Sequence, residues 1–120
     1  MSNIADFIDK LEHQADSLMF EDFLALIDSH YDFSVTGFTN GSQRNSAGEN
    51  SGSCKVFAFG LLQQLTQQQT LALFGQHYRD VLANPQANDH QNIRQFVQHG
   101  WDGIQFEQEP AKVLASKAEC

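Results

Sequence analysis

Cys54 is the residue whose neighbours best suit it to act as a nucleophile. It lies in the first turn of a predicted helix, between Ser53 and Lys55. A helix N-terminus and an adjacent ammonium group both stabilise a thiolate, which predicts a Cys54 pKa below the usual value of about 8.5. A thiol nucleophile also needs a base, for which His77 and His90 are the candidates. The alternative is that Cys54 is a small buried apolar residue, as many free cysteines are.

A long polar loop leads into the same helix. Residues 39–53, TNGSQRNSAGENSGS, contain three glycines, four serines and three asparagines, with Ala47 as the one apolar residue. Such a run at a helix start presents backbone N–H groups beside the positive end of the helix dipole, which favours an anion. The alternative is a flexible connector. The glycine spacing does not match a P-loop, so nucleotide binding is not expected.

Two arginines flank a predicted turn between helices. Arg79 and Arg94 are two of seven cations in a chain with 15 acidic residues. Either each arginine pairs with Asp80 or Asp89 and orders the turn, or the arginines line a small pocket for a carboxylate or phosphate. Trp101, between two glycines, is a core residue or, if exposed, a recognition residue. The candidate ligand-binding residues are Glu49, Asn50, Ser53, Lys55, Arg79, His90, Arg94 and Trp101.

No metal site and no cofactor are predicted. The five histidines show no H-x-x-x-H spacing, and Cys54 and Cys120 are too isolated for a C-x-x-C site. Asp89 and His90 are adjacent, but neighbouring residues on a helix point in different directions.

The composition excludes several classes of function. A net charge of −8 argues against binding to nucleic acid or to an anionic membrane surface. The apolar runs are too short to span a bilayer, and acidic residues interrupt any signal peptide. Two cysteines do not make a disulfide scaffold. A soluble cytoplasmic protein is expected.

The hydrophobic pattern predicts a mainly α (α+β) fold, a compact bundle of about five helices with a minor two-stranded β element. Alternation at Phe33 and Val35, and at Ile104 and Phe106, predicts two strands that pair with each other. Residues 1–107 are expected to form one domain and 108–120 a weakly ordered tail. The predicted helices cover about residues 4–11, 20–31, 53–65, 66–84 and 88–100.

Several of these segments carry a resemblance to a known family. The runs HYDFSVTGFTNG, AGENSGSCKVFAF, TLALFGQHYRDVLANP and DHQNIRQFVQHGW are similar to the HopJ type III effector protein family, over about residues 20–107. The resemblance implies a bacterial protein and possible type III delivery into a host cell. It implies no mechanism, because no activity or catalytic residue is settled for the family.

The sequence therefore favours a small binding or regulatory module for an anionic ligand or a protein partner. A thiol-dependent enzyme or redox-responsive protein using Cys54 is the alternative, and an adaptor acting through acidic faces is a third. Helical periodicity from Ile4 leaves no room for a disordered leader, so a resident role in the bacterial cytoplasm is expected alongside delivery.

Overall fold

The chain begins with two amphipathic helices. The computed structural model describes residues 4–14 and 17–116, starting with α1 (Ile4–His13) and α2 (Phe20–His30). Their apolar residues recur every three or four positions, and Phe7 and Phe23 from this repeat are buried. Both helices lie where the pattern predicts them.

A third helix forms the centre of the molecule. In α3 (Ser51–Gln63), each residue from Val56 to Phe59 is fully buried, because this helix is apolar on nearly every side. The Phe57 ring lies 4.9 Å from the Phe96 ring and 6.4 Å from the Trp101 ring, between centroids. Trp101 also donates from its indole nitrogen to the Leu65 carbonyl at 3.0 Å.

The predicted fourth helix is in fact two helices, α4 (Gln67–Ala72) and α5 (Gln76–Ala83). Thr66 and Gln69 form the predicted capping box at the start of α4. The break comes at Gly75, whose φ is +59°. A Cβ there would lie 2.6 Å from the Phe20 backbone nitrogen, so glycine is required. The apolar stripe continues across the break and hides it from the sequence pattern.

The C-terminal half adds further helices. α6 (Gln91–His99) runs into a 3-10 helix (Gly100–Gly103), and a short α7 (Pro110–Val113) follows. The described residues thus contain seven α-helices, two more than predicted. No described helix is long and apolar enough to cross a membrane.

The strands form two small antiparallel sheets. β1 (Tyr31–Phe33) pairs with β5 (Leu114–Ser116), and β2 (Phe38–Asn40) lies between β3 (Gln43–Asn45) and β4 (Ile104–Phe106). The predicted pairing of the first strand with 104–106 is therefore wrong.

The sheet register shows why that pairing fails. Phe38, not Phe33, is the partner of Phe106. Val35 lies outside the strands and is 50% exposed. Gly41, at a φ of +59°, turns β2 back onto β3. The two-residue loop is Gly41-Ser42, a Gly-Ser pair that is a hairpin signal inside the supposed polar connector.

The segment after residue 107 reaches the core. Val113 and Leu114 are 0% and 1% exposed, and β5 pairs with β1. The part of the expected weak tail that the structure describes, through Ser116, is thus packed against the domain. Residues 117–120 lie outside the described part of the chain.

Candidate functional site

A cavity of about 470 Å³ lies where the first turns of α3 and α6 meet. Gly52 and Ser53 come from α3, and Asn92 and Ile93 come from α6. The described residues that line the cavity include no carboxylate, lysine or arginine. They are Phe20, Gln43, Asn50, Gly52, Ser53, Phe74, His77, His90, Gln91, Asn92 and Ile93.

The residue that precedes each of these two helices has an unusual backbone conformation. Asn50 precedes α3 with a φ of 51°, and His90 precedes α6 with a φ of 52°. Residues before a helix normally adopt extended backbone, and left-handed values are uncommon outside glycine. Strained residues of this kind persist where surrounding contacts hold them. Asn50 and His90 both line the cavity.

A buried cluster of asparagines provides such contacts. The side-chain oxygen of Asn45 accepts from Nδ2 of Asn50 at 2.6 Å and from Nδ2 of Asn92 at 3.0 Å. Asn40 donates to the Asn92 carbonyl at 2.7 Å. Asn40 and Asn45 are fully buried. One oxygen on the β2–β3 hairpin therefore ties together the starts of α3 and α6.

Two imidazoles form another part of the wall. The His77 ring lies 5.2 Å from the Phe20 ring and 5.3 Å from the His90 ring, between centroids. Nε2 of His90 is 3.2 Å from Oδ2 of Asp80. Both predicted candidate bases are thus in the cavity wall, His77 from α5 and His90 from the start of α6.

The arginines do not form the predicted pocket. Nη2 of Arg94 lies 2.8 Å from Oδ1 of Asp89, and Nη1 donates to the Pro85 carbonyl at 3.4 Å. This pair lowers the pKa of Asp89, chiefly through the Arg94 hydrogen bond. Arg79 instead reaches Sδ of Met19 at 3.6 Å. Arg94 therefore pairs with Asp89 and orders the turn, which is the first of the two predicted alternatives.

The expectation of a depressed Cys54 pKa is wrong. Cys54 is 2% exposed, and burial raises the pKa of its thiol to about 11. A backbone hydrogen bond from Thr36 and the charge of Lys55 both act in the opposite direction, and burial outweighs them. Cys54 is not among the residues that line the cavity with His77 and His90. The thiol-enzyme hypothesis therefore loses its chemical basis.

Three further candidates lie outside the cavity wall. Glu49 accepts from the Ser46 backbone at 2.9 Å and closes a turn. The Lys55 ammonium lies 5.0 Å from the centroid of the Phe33 ring. Trp101 is partly buried and packs against the core through Phe57 and Phe96. Of the eight ligand-binding candidates, Asn50, Ser53 and His90 line the cavity.

Sequence analysis missed the residues that complete the wall. Gly52 was part of the polar loop at residues 39–53 without a separate role, and Asn92 was not among the candidates. The Gly41-Ser42 pair was the available indication that β2 and β3 fold back. It would have placed Asn45 close to α3, but not close to α6.

A larger groove of about 680 Å³ lies between α1 and α2. It is lined by apolar residues such as Phe7 and Leu26, together with Lys10 and Asp22 of opposite charge. The described residues that line this groove include no pair of helix N-termini, so it offers less specific chemistry than the first cavity.

Comparisons with known proteins give a family and one similar crystal structure, but no activity. The family described as HopJ type III effector protein matches residues 4–111. A crystal structure of the unknown-function protein VPA0580 is similar, with a TM-score of 0.91 and 49% sequence identity. The match covers 97% of this chain and 95% of that one. No curated protein matches the chain.

Proposed function

Because this chain belongs to the HopJ type III effector protein family, whose description gives no chemistry, we propose a function from the cavity: it binds a small ligand through an anionic group, a carboxylate or a phosphate. The observation that carries this proposal is the convergence of two helix N-termini on one cavity. The protein then acts as a binding or regulatory module.

The first turns of α3 and α6 supply the attraction. The first backbone N–H groups of a helix have no partner within the helix, and the helix dipole places partial positive charge beside them. Gly52 and Ser53 from one helix and Asn92 and Ile93 from the other line the same space. An anion between them would interact favourably with both dipoles.

The charge distribution supports the same assignment. The chain carries 15 acidic residues, yet no carboxylate belongs to the described residues that line the cavity. The hydroxyl of Ser53 and the imidazoles of His77 and His90 offer donors there. Among the described contacts of the cavity wall, the nearest carboxylate is that of Asp80, which contacts His90. Its negative charge would oppose the binding of an anion.

The apolar part of the wall limits the size and shape of the ligand. Phe20 and Phe74 stack with centroids 6.0 Å apart and line the cavity. A volume of about 470 Å³ falls in the range of small-molecule sites. We therefore expect a small organic anion with an apolar portion.

The test is a titration of the isotopically labelled protein with inorganic phosphate, followed by NMR. We expect saturating chemical-shift changes at the backbone amides of Gly52, Ser53 and Asn92, whereas the Ile93 N–H already donates to the His90 carbonyl at 3.0 Å. Ser53→Asp should weaken phosphate binding at least tenfold, because its carboxylate occupies the anion position. The same carboxylate favours the start of a helix by about 0.3–1 kcal/mol, so loss of binding will not reflect unfolding.

Gln68→Glu is the matched control, since it adds the same charge to the first turn of α4, away from the cavity. It should bind phosphate as the parent does. Equal binding by Ser53→Asp and the parent, or shifts confined to other regions, would refute the anion site. A protein-partner role would then be the better proposal.

The family description makes delivery into a host cell part of this proposal, beside a role in the bacterial cytoplasm. A reporter fusion of the full chain tests it in bacteria with and without a functional type III apparatus. Reporter signal in host cells that depends on the apparatus supports delivery, and signal confined to the bacterium supports the resident role.

A further inference from the structure

The turn between α5 and α6 brings together three side chains that metals bind well. Asp80 belongs to α5, Asp89 to the connecting turn, and His90 to the residue before α6. One ligand atom from each lies within 4.8 Å of those from the other two. We propose that Asp80, Asp89 and His90 bind a divalent transition-metal ion with mixed nitrogen and oxygen preference, such as Zn²⁺ or Mn²⁺.

The distances fit such an ion with small adjustments. Nε2 of His90 lies 3.2 Å from Oδ2 of Asp80 and 4.0 Å from Oδ2 of Asp89. In a tetrahedral zinc site with bonds of about 2.0–2.2 Å, neighbouring ligand atoms are about 3.4 Å apart. The two distances lie on either side of this value. The ligand atoms of Asp80 and Asp89 lie within 4.8 Å of each other, so side-chain shifts on the order of 1 Å would place all three atoms around one ion.

A hydrogen bond between His90 and Asp80 explains only part of this arrangement. It accounts for the 3.2 Å contact, but Oδ2 of Asp89 stands 4.0 Å from the same nitrogen, beyond hydrogen-bond length. Three potential ligand atoms therefore approach a common point, while a hydrogen bond joins only two of them. An ion would interact favourably with all three.

The outer oxygens of the two carboxylates are already occupied. Oδ1 of Asp89 pairs with Arg94 at 2.8 Å, and Oδ1 of Asp80 accepts from Nδ2 of Asn84 at 3.2 Å. Each carboxylate is therefore held by one oxygen while Oδ2 is directed toward His90. Metal-binding carboxylates are commonly oriented by such outer contacts.

The chemistry of the donor set selects the class of ion. One imidazole and two carboxylates suit zinc or manganese, whereas copper(I) and iron–sulfur clusters favour thiolates. Asp80 and Asp89 are about half exposed, so an ion can reach them from solvent. The three protein ligands would leave coordination positions open, as in zinc sites that bind a water or substrate.

This metal site does not require the anion site, although His90 belongs to both. The two are tested separately, because the titration uses the metal alone. If both proposals hold, an anion in the cavity would lie close to the ion. If only the metal binds, the phosphate titration of the previous section still fails by its own criteria.

The first experiment is isothermal titration of the full chain with Zn²⁺, without phosphate. We expect one equivalent bound at this site and an affinity at least tenfold lower in Asp80→Asn. The matched control is His13→Gln, since His13 and Asp9 form another histidine–aspartate contact, at 3.3 Å, on α1. That variant should retain the affinity of the parent. Equal Zn²⁺ affinity in Asp80→Asn and the parent would overturn the proposal.

The second experiment avoids any folding defect in a variant. Mn²⁺ added to the labelled parent protein should broaden the NMR signals of Asp80, Asp89 and His90 at substoichiometric amounts. The signals of Asp9 and His13 should remain sharp. Broadening spread over the acidic surface, or none at the three residues, would show that the cluster only orders the turn.

Discussion

Adjacent residues in the first turn of α3 lie in two different environments. Gly52 and Ser53 line the cavity, whereas Cys54, the next residue, is 2% exposed in the core. All three lie near the same helix N-terminus, and all experience the same dipole. Burial nevertheless raises the Cys54 pKa to about 11. For Cys54, desolvation outweighs the Thr36 backbone hydrogen bond and the Lys55 charge, which both act to lower its pKa.

An anion in the proposed site would benefit from the dipole, because it would meet the N–H groups at the start of α3 directly. Helix N-termini stabilise anions that approach the exposed N–H groups directly. The Cys54 sulfur points from the side of the helix into apolar packing, where a thiolate would be poorly solvated. At the start of α3 we therefore expect anion binding beside Ser53, and we expect no reactive thiolate at Cys54.

The largest effect should come from alkylation of Cys54, measured in a Cys120→Ser background. At pH 8, a thiol with a pKa of about 11 has a thiolate fraction on the order of a hundredfold below that of a free cysteine. We expect labelling of the folded protein to be slower than that of the unfolded protein by more than this factor. Fast labelling under native conditions would contradict the buried assignment.

Asn45→Ala should remove the link between the two sides of the cavity. It leaves Nδ2 of Asn50 and of Asn92 without their Asn45 acceptor, at 2.6 and 3.0 Å in the parent. We expect a loss of about 2–4 kcal/mol in unfolding free energy, measured by urea denaturation. Asn88→Ala, at an exposed position, is the control and should change stability by less than about 0.5 kcal/mol.

The raised pKa of Cys54 should appear as a pH dependence of the free energy of unfolding. The folded thiol has a higher pKa than the unfolded thiol, so the folded state binds more protons between about pH 9 and 11. Its contribution is fully present below pH 9 and is lost as the pH rises toward 11, by on the order of 2–3 kcal/mol. Cys54→Ala should show a shallower decline over this range, and an unchanged slope would refute the raised pKa.

The smallest effect should come from Lys55→Gln. Lys55 lies over the Phe33 ring at 5.0 Å and outside the cavity wall. Losing this contact should reduce stability by about 0.5–1 kcal/mol and leave phosphate binding unchanged. Thermal unfolding and the NMR titration check the two parts. Loss of phosphate binding in Lys55→Gln would mean that the site extends around the helix start.

Local sequence patterns predicted the helices well and the strands poorly. The capping pair of Thr66 and Gln69 is formed as expected, and the apolar run around Phe57 forms the central helix. The strands are three residues each, too short for alternation to define a partner. Pairing of β1 with β5 joins residues more than 80 positions apart, and only tertiary packing selects such a contact.

The sequence by itself determined the acidic, mainly helical character of this protein, its central buried helix and its HopJ resemblance. These follow from charge counts and from apolar spacing along a single segment, which local sterics convert into helices. The tertiary structure decided the site. Asn45 meets Asn92 and Asp80 meets His90 only because the chain folds back on itself. The same packing buries Cys54, because the burial of a residue depends on which parts of the chain pack against it.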